Sequence, residues 1–257
     1  MKLQKPKYLC AFLAFFLLLS MTALADAAQS WYCMREKNHA RPKVEPQMAF
    51  IGDYGGVYIG PDPDEKVIYL TFDAGYENGN VERILDVLKK HEAPGAFFVL
   101  DNLIKRNTDL VLRMAEEGHL VCNHTAHHKD MTKLSDAEFE AELAALESVY
   151  KETTGYDMAK FYRPPEGKFN QENLALAQRL GYTTVFWSLA YADWDNNKQP
   201  APTDAKKLLM DNIHNGAIVL LHPTSKTNAD ILDDLLTAWE AEGYRFGSLT
   251  ELAGPKE

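Results

Sequence analysis

From Lys66 onward, short apolar runs alternate with segments whose apolar residues recur every three or four positions. The runs are VIYLTF (67–72), GAFFVL (95–100), HLVCN (119–123), KFYR (160–163), YTTVFW (182–187), AIVLL (217–221) and YRFGSL (244–249). Between them Val81, Ile84, Leu85 and Leu88 lie at helical spacing, as do Phe139, Leu143, Leu146 and Tyr150, and later Ile231, Leu232, Leu235 and Trp239. The rhythm predicts about seven strands and six helices. Strands that are apolar throughout belong to sheets buried on both faces, and strands joined through helices run parallel. An α/β fold with a parallel sheet curled into a barrel fits best, with an open doubly wound sheet as the alternative.

Boundary signals agree with this reading. Ser135 and Glu138 have the spacing of a capping box, and Gly118, Gly181 and Gly243 each stand between a helical segment and a strand. Residues 26–65 lack the rhythm. Their Pro42, Pro46, Pro61 and Pro63, with Gly52, Gly55, Gly56 and Gly60, predict an irregular N-terminal arm lying on a single domain of residues 66–257. Residues 1–25 read as a secretory signal peptide: Lys2, Lys5 and Lys7 precede an uncharged stretch that ends in Ala23-Leu24-Ala25. An uncleaved signal anchor is the alternative; either way the domain is expected outside the cytoplasm, with no membrane span after cleavage.

Charge narrows the partners. Lys and Arg number 27 against 37 Asp and Glu, a formal net charge of −10, and losing the signal takes three further lysines and no acid. Such a surface offers nothing to a polyphosphate backbone, so nucleic acid is excluded as a partner. Cys33 and Cys122, the cysteines left after residue 25, allow at most one disulfide, so the core must hold the fold.

The informative polar residues fall at the carboxyl ends of the expected strands. Asp73 follows VIYLTF, His124 follows HLVCN, Arg163 and Pro164 follow KFY, Asp193 and Trp194 follow YTTVFW after a short loop, and His222 terminates AIVLL. In a parallel barrel those ends share one face, where loops converge on a cleft. His124 and His128, four apart, aim two imidazoles at one point if the segment turns helically, which suits zinc or a related ion. His127, one position out of phase, reads as outward-facing, and Cys122 as a small core residue. A carboxylate at a buried strand end needs a partner, and Arg163 is available to Asp73. Asp193 is available to His222, which would raise its pKa. A structural ion pair and a satisfied core histidine remain the plainer alternatives, as plain core does for Trp194 and Leu220. Together a base, an acid, a guanidinium and two metal-ligand candidates describe a hydrolytic site.

The ordered set TFDAGYENG, NHTAHH, RPPEG, DW and LLH, over about residues 66–252, resembles the motifs of the polysaccharide deacetylase (NodB-homology) family. TFDAGYENG, RPPEGKF and VFWSLAYADW, with SWYC and YGGVYIG in the arm, resemble the branch that de-N-acetylates muramic acid in making the δ-lactam of spore cortex peptidoglycan. The resemblance implies a deformed (β/α)7 barrel that hydrolyses N-acetyl groups on glycan strands with a divalent metal ion. It implies Asp73 as base, Arg163 as the residue positioning it, Asp193 and His222 as relay and acid, and His124 and His128 as metal ligands. Pro165, Glu166, Gly167, Trp194 and Leu220 are implied at the substrate. Most of the family has a second Asp after the base as third metal ligand. Here that position is Ala74, so a weakly bound metal is expected; a non-catalytic glycan-binding protein, or a deacetylase of chitin oligomers, xylan or N-acetylglucosamine, are the alternatives.

Overall fold

The computed structural model describes residues 27–36 and 38–253; the expected signal segment lies outside them. The strands are β1 (Gln29–Ser30), β2 (Val67–Ala74), β3 (Gly95–Val99), β4 (Leu120–Asn123), β5 (Ala159–Tyr162), β6 (Lys168–Phe169), β7 (Thr183–Thr184), β8 (Leu189–Ala190), β9 (Ala217–Leu221) and β10 (Arg245–Phe246). The helices are α1 (Val81–Lys90), α2 (Asp101–Arg106), α3 (Thr108–Glu116), α4 (Asp136–Thr154), α5 (Gln171–Arg179), α6 (Pro202–Asn212) and α7 (Lys226–Ala241).

The main sheet runs β7-β5-β4-β3-β2-β9-β8 with every pair parallel, and β10 pairs with the first residues of β2. The edge strands β7 and β8 are joined by residues 185–188 alone, a span of at most about 14 Å. Within it the Val185 N–H donates to the Tyr162 carbonyl at the end of β5, and the Ser188 N–H donates to the Ile218 carbonyl on β9. The chain therefore crosses from one sheet edge to the other and closes the barrel. This closure excludes the open sheet. It also explains a departure from the sequence pattern: the run 182–187 yields only Thr183–Thr184 as strand, because its second half is the bridge, and the unforeseen β8 follows.

The expected last strand, 244–249, is likewise cut to two residues. A Cβ on Gly247 would meet Val67 at 2.7 Å and Tyr69 at 2.8 Å, so only glycine lets the chain turn this close to β2. Leu249–Leu252 then forms a 3-10 helix that tucks Leu249 into the barrel. The capping box at Ser135 and Glu138 forms as expected and starts α4.

Two apolar layers sandwich the sheet. Ile68, Leu70, Phe72 and Ala74 of β2 face the helices, packing with residues such as Ile84, Leu85, Leu235 and Trp239. Val67 and Tyr69 face the lumen with Phe98, Cys122, Phe161 and Ile218. Period-two alternation assigns Thr71 and Asp73 to the lumen column as well.

The arm lies on the β6–β7 side. β1 pairs antiparallel with β6. Trp31 stacks on Phe186 with ring centroids 4.6 Å apart, and its Nε1–H donates to the Trp187 carbonyl at 2.9 Å. Arg41 donates to the carbonyls of Asp62 and Asn215, both at 2.9 Å. Cys33 and Cys122 are free thiols. Among the described residues no helix is long and apolar enough to cross a membrane. Because Trp31 is 4% exposed and is the arm's largest anchor, Trp31→Ala is expected to cost about 3–5 kcal/mol in urea unfolding; a loss below about 1 kcal/mol would mean that the arm is not part of the cooperative core.

Candidate active site

Four site side chains reach the lumen by the same rule: each stands two residues beyond a lumen-facing core residue. Asp73 continues Tyr69 and Thr71, His124 continues Cys122, Arg163 continues Phe161, and His222 continues Ile218 and Leu220. Asp73 lies within β2 rather than after it, since that strand runs on to Ala74.

Arg163 is fully buried. Its Nη1 donates to Asp73 Oδ1 at 2.8 Å, Nη2 to Thr71 Oγ1 at 2.9 Å and to the Phe186 carbonyl at 3.3 Å, and Nε to the Val185 carbonyl at 3.1 Å. The guanidinium also lies 4.1 Å from the Phe98 ring centroid. Burial opposes ionisation of Asp73, but the charge of Arg163, with His222 acting in the same direction, outweighs it and holds the carboxyl below its usual range.

The Arg163 carbonyl accepts from His124 Nδ1 at 2.8 Å. This fixes the tautomer and leaves the Nε2 lone pair facing Asp73 Oδ2 across 3.7 Å. Burial pushes His124 down to about 4, so its imidazole is neutral, the form that binds metal. The His128 ring centroid is 5.0 Å away, but the pair is not helical as expected. Thr125 and His128 both have positive φ, 71° and 54°, and the His128 N–H donates to Thr125 Oγ1 at 2.9 Å. A kinked loop with left-handed residues brings the rings together, which is backbone strain of the kind that gathers at functional sites. Among the described residues no group of three or more His, Cys, Asp or Glu is placed to hold a metal, consistent with Ala74 contributing its methyl to the helix-facing layer. His127 points outward onto Glu142.

The other arm is His222. Its Nδ1 lies 2.7 Å from Asp193 Oδ1, and its backbone N–H donates to Asp193 Oδ2 at 2.8 Å. Burial alone would lower the His222 pKa; the buried Asp193 carboxylate overcomes it and raises the pKa, with Asp73 adding in the same direction. His222 and Asp73 thus feel each other's charge from two sides of one cleft. Trp194, 62% exposed, sets its ring 6.2 Å from that of His222. Leu220 pairs in register with Thr71 on the lumen side. Pro165 and Gly167 are buried, and Gly167 lies under Trp187, where a Cβ would come within 2.9 Å. Glu166 between them has φ 55° and an ion pair to Lys168 at 2.6 Å. Sequence reasoning missed Thr71, Tyr191 and Asn228, all of which bond to the site; lumen parity would have found Thr71.

Residues 60–185 match the family described as polysaccharide deacetylase. The peptidoglycan-N-acetylmuramic acid deacetylase PdaA of Bacillus subtilis (strain 168) is 41% identical, over 98% of this chain and 97% of that protein. The chain belongs to the polysaccharide deacetylase family. The solved structure of Bacillus subtilis PdaA, a family 4 carbohydrate esterase, superposes with a TM-score of 0.85 at 39% identity, covering 89% of this chain and 98% of that one. A family 4 carbohydrate esterase from Bacillus anthracis gives 0.74 at 38% identity, over 90% and 98%. The parallel barrel of this polysaccharide deacetylase is the one its solved relatives share.

The neutral, buried His124 has a consequence for stability. Between its ordinary value of 6.5 and about 4, the unfolded chain binds a proton that the native state refuses, so stability falls as pH drops through that window. His214, also pushed down to about 4 by burial, acts in the same sense. His124→Gln is expected to shrink the loss of unfolding free energy between pH 7 and pH 5 by about 2 kcal/mol in urea titrations; an unchanged pH dependence would refute a neutral, buried His124.

Proposed function

We propose that this protein hydrolyses the N-acetyl group of N-acetylmuramic acid in peptidoglycan strands, in the cell envelope, and that the freed amine serves δ-lactam formation in spore cortex. The observation that carries the chemistry is that Asp73 is held by the Arg163 guanidinium at 2.8 Å and His222 by the Asp193 carboxylate at 2.7 Å, partners that favour a carboxylate on one and a proton on the other. Substrate and setting rest on likeness to PdaA over nearly the whole chain.

An amide carbonyl is a poor electrophile, and its nitrogen leaves only as an amine. Asp73, kept ionised by Arg163, takes a proton from the water that attacks the acetyl carbonyl. A backbone N–H at Glu166 receives the oxyanion of the tetrahedral intermediate. His222, held charged by Asp193, gives its proton to the departing nitrogen, and acetate and a free amine result. Trp194 and Leu220 offer apolar surface to the acetyl methyl. His124 and His128 are the residues that would hold a divalent cation, and the lone pairs of His124 Nε2 and Asp73 Oδ2 facing each other favour a positive charge between them. When bound, such an ion supplies Lewis-acid polarisation of the acetyl oxygen. Two imidazoles are one ligand short of the usual catalytic zinc site, so the affinity is low.

Acetate release from muramic-rich glycan, compared with chitin oligomers and acetylxylan, tests the substrate. Asp73→Asn and His222→Ala are each expected to lower kcat/KM on the muramic substrate by about a hundredfold or more. Equal release by Asp73→Asn, or faster release from chitin or xylan, overturns the reading. Isothermal titration with zinc is expected to show weak binding to the wild type and none to His128→Ala; the same heat in both proteins would remove His128 from the metal site.

A further inference from the structure

Asn228 lies in the first turn of α7, 1% exposed, and its amide is fully used. Nδ2 donates to Asp193 Oδ2 at 2.6 Å and to the backbone carbonyl of His222 at 3.0 Å, while Oδ1 accepts from the Tyr191 hydroxyl. Two acceptors on one side and a hydroxyl on the other leave a single sensible orientation for this amide. Its backbone is pinned too, since the Asn228 N–H donates to Ser225 Oγ, the residue that caps α7. Gln199 fastens the opposite side of the loop: its Nε2 donates to the Asp193 carbonyl at 2.8 Å, and its Oε1 accepts from Ser225.

We infer that Asn228, oriented by Tyr191, is the positioning residue of the acid arm: it occupies Asp193 Oδ2 so that Oδ1 stays directed at His222 Nδ1. The carboxylate has two oxygens and one bond about which to swing. Oδ2 also accepts from the His222 backbone N–H, and the Asn228 amide adds the side-chain hold on it while binding the His222 carbonyl, so carboxylate and imidazole are fixed relative to each other. Neither the helical pattern nor the family motifs single out this residue. The inference rests on the proposed function only for His222 being the proton donor.

Removing the amide has two opposed consequences, and the direction of the titration separates them. If Asn228 positions, its loss lets Asp193 rotate away, and the His222 pKa falls toward the ordinary histidine value. If it merely withdraws charge from Asp193, its loss strengthens the carboxylate's hold and the pKa rises. The other charged groups facing His222, Asp73 at the end of β2 and Arg163 beyond β5, are unchanged in either case.

The test follows the His222 imidazole by NMR pH titration, without substrate, in the wild type, Asn228→Ala and Tyr191→Phe, beside the pH profile of acetate release. The expected result is a lower His222 pKa in Asn228→Ala and a smaller shift the same way in Tyr191→Phe. The alkaline limb of kcat should move to lower pH, with kcat down about tenfold or more and KM little changed. An unchanged or raised His222 pKa in folded Asn228→Ala overturns the inference, as does a kcat loss that appears only with a lowered melting temperature. Should Asn228→Ala fail to fold, the Tyr191→Phe titration decides alone. Because the imidazole is read without glycan, a wrong substrate assignment leaves this result standing.

Discussion

The buried ion pair between Arg163 and Asp73 is the constraint around which the rest is arranged. Placing a guanidinium at the centre of a barrel is costly, and partner removal from a buried pair typically costs about 3–5 kcal/mol. Every feature of Arg163 offsets that cost. Its donors reach Asp73, Thr71 and two carbonyls of the closing segment, and Phe98 covers one face of the guanidinium. Its own carbonyl then fixes the tautomer of His124. Closure of the barrel and support of the carboxylate therefore meet at one residue: residues 185–188, which join the two edges of the sheet, also supply the carbonyls of Val185 and Phe186 to the guanidinium.

Strand parity converts this constraint into a site. A parallel strand buried on both sides sends alternate residues to the helices and to the lumen, and a shift of one residue exchanges the two sets. Asp73, His124, Arg163 and His222 all keep the lumen parity of core residues below them, so the packing that fills the barrel with Tyr69, Cys122, Phe161 and Ile218 also aims the polar groups above it. Ala74 shows the same rule from the other side. Its methyl belongs with Phe72 and Val99 in the helix-facing layer, where a carboxylate would need a route back to the cleft to reach a metal.

The sequence made the barrel readable because continuous apolar strands and helical spacing leave few alternatives, and it made the strand-end residues readable because chemistry placed after an apolar run is rarely accidental. It concealed what depends on closure. Residues 182–187 have the β-branched and aromatic composition of a strand whether they form one or bridge two edges, and only the hydrogen bonds to Tyr162 and Ile218 decide. The His124–His128 pair was readable as a pair, but its geometry comes from left-handed residues at 125 and 128 that neither threonine nor histidine announces. Asn228 was unreadable: an asparagine three residues after a serine cap looks like ordinary helix-start chemistry, and two of its side-chain partners, Asp193 and Tyr191, lie 35 and 37 residues away.

The two halves of the cleft treat burial in opposite ways. Around Asp73 a cation overcomes desolvation and the carboxyl loses its proton readily; around His222 an anion overcomes desolvation and the imidazole keeps its proton. Groups in one cleft pushed toward opposite protonation states are what a reaction with one proton removed and one delivered requires. The separation is maintained because each arm has its own counterion, Arg163 for one and Asp193 for the other. Direct pairing of Asp73 with His222 would satisfy both charges and leave neither free for substrate. Each counterion is in turn fastened by neutral donors or acceptors, Thr71 and two carbonyls on one side and Asn228 with the His222 main chain on the other. The charges are thus held apart by partners that add none of their own.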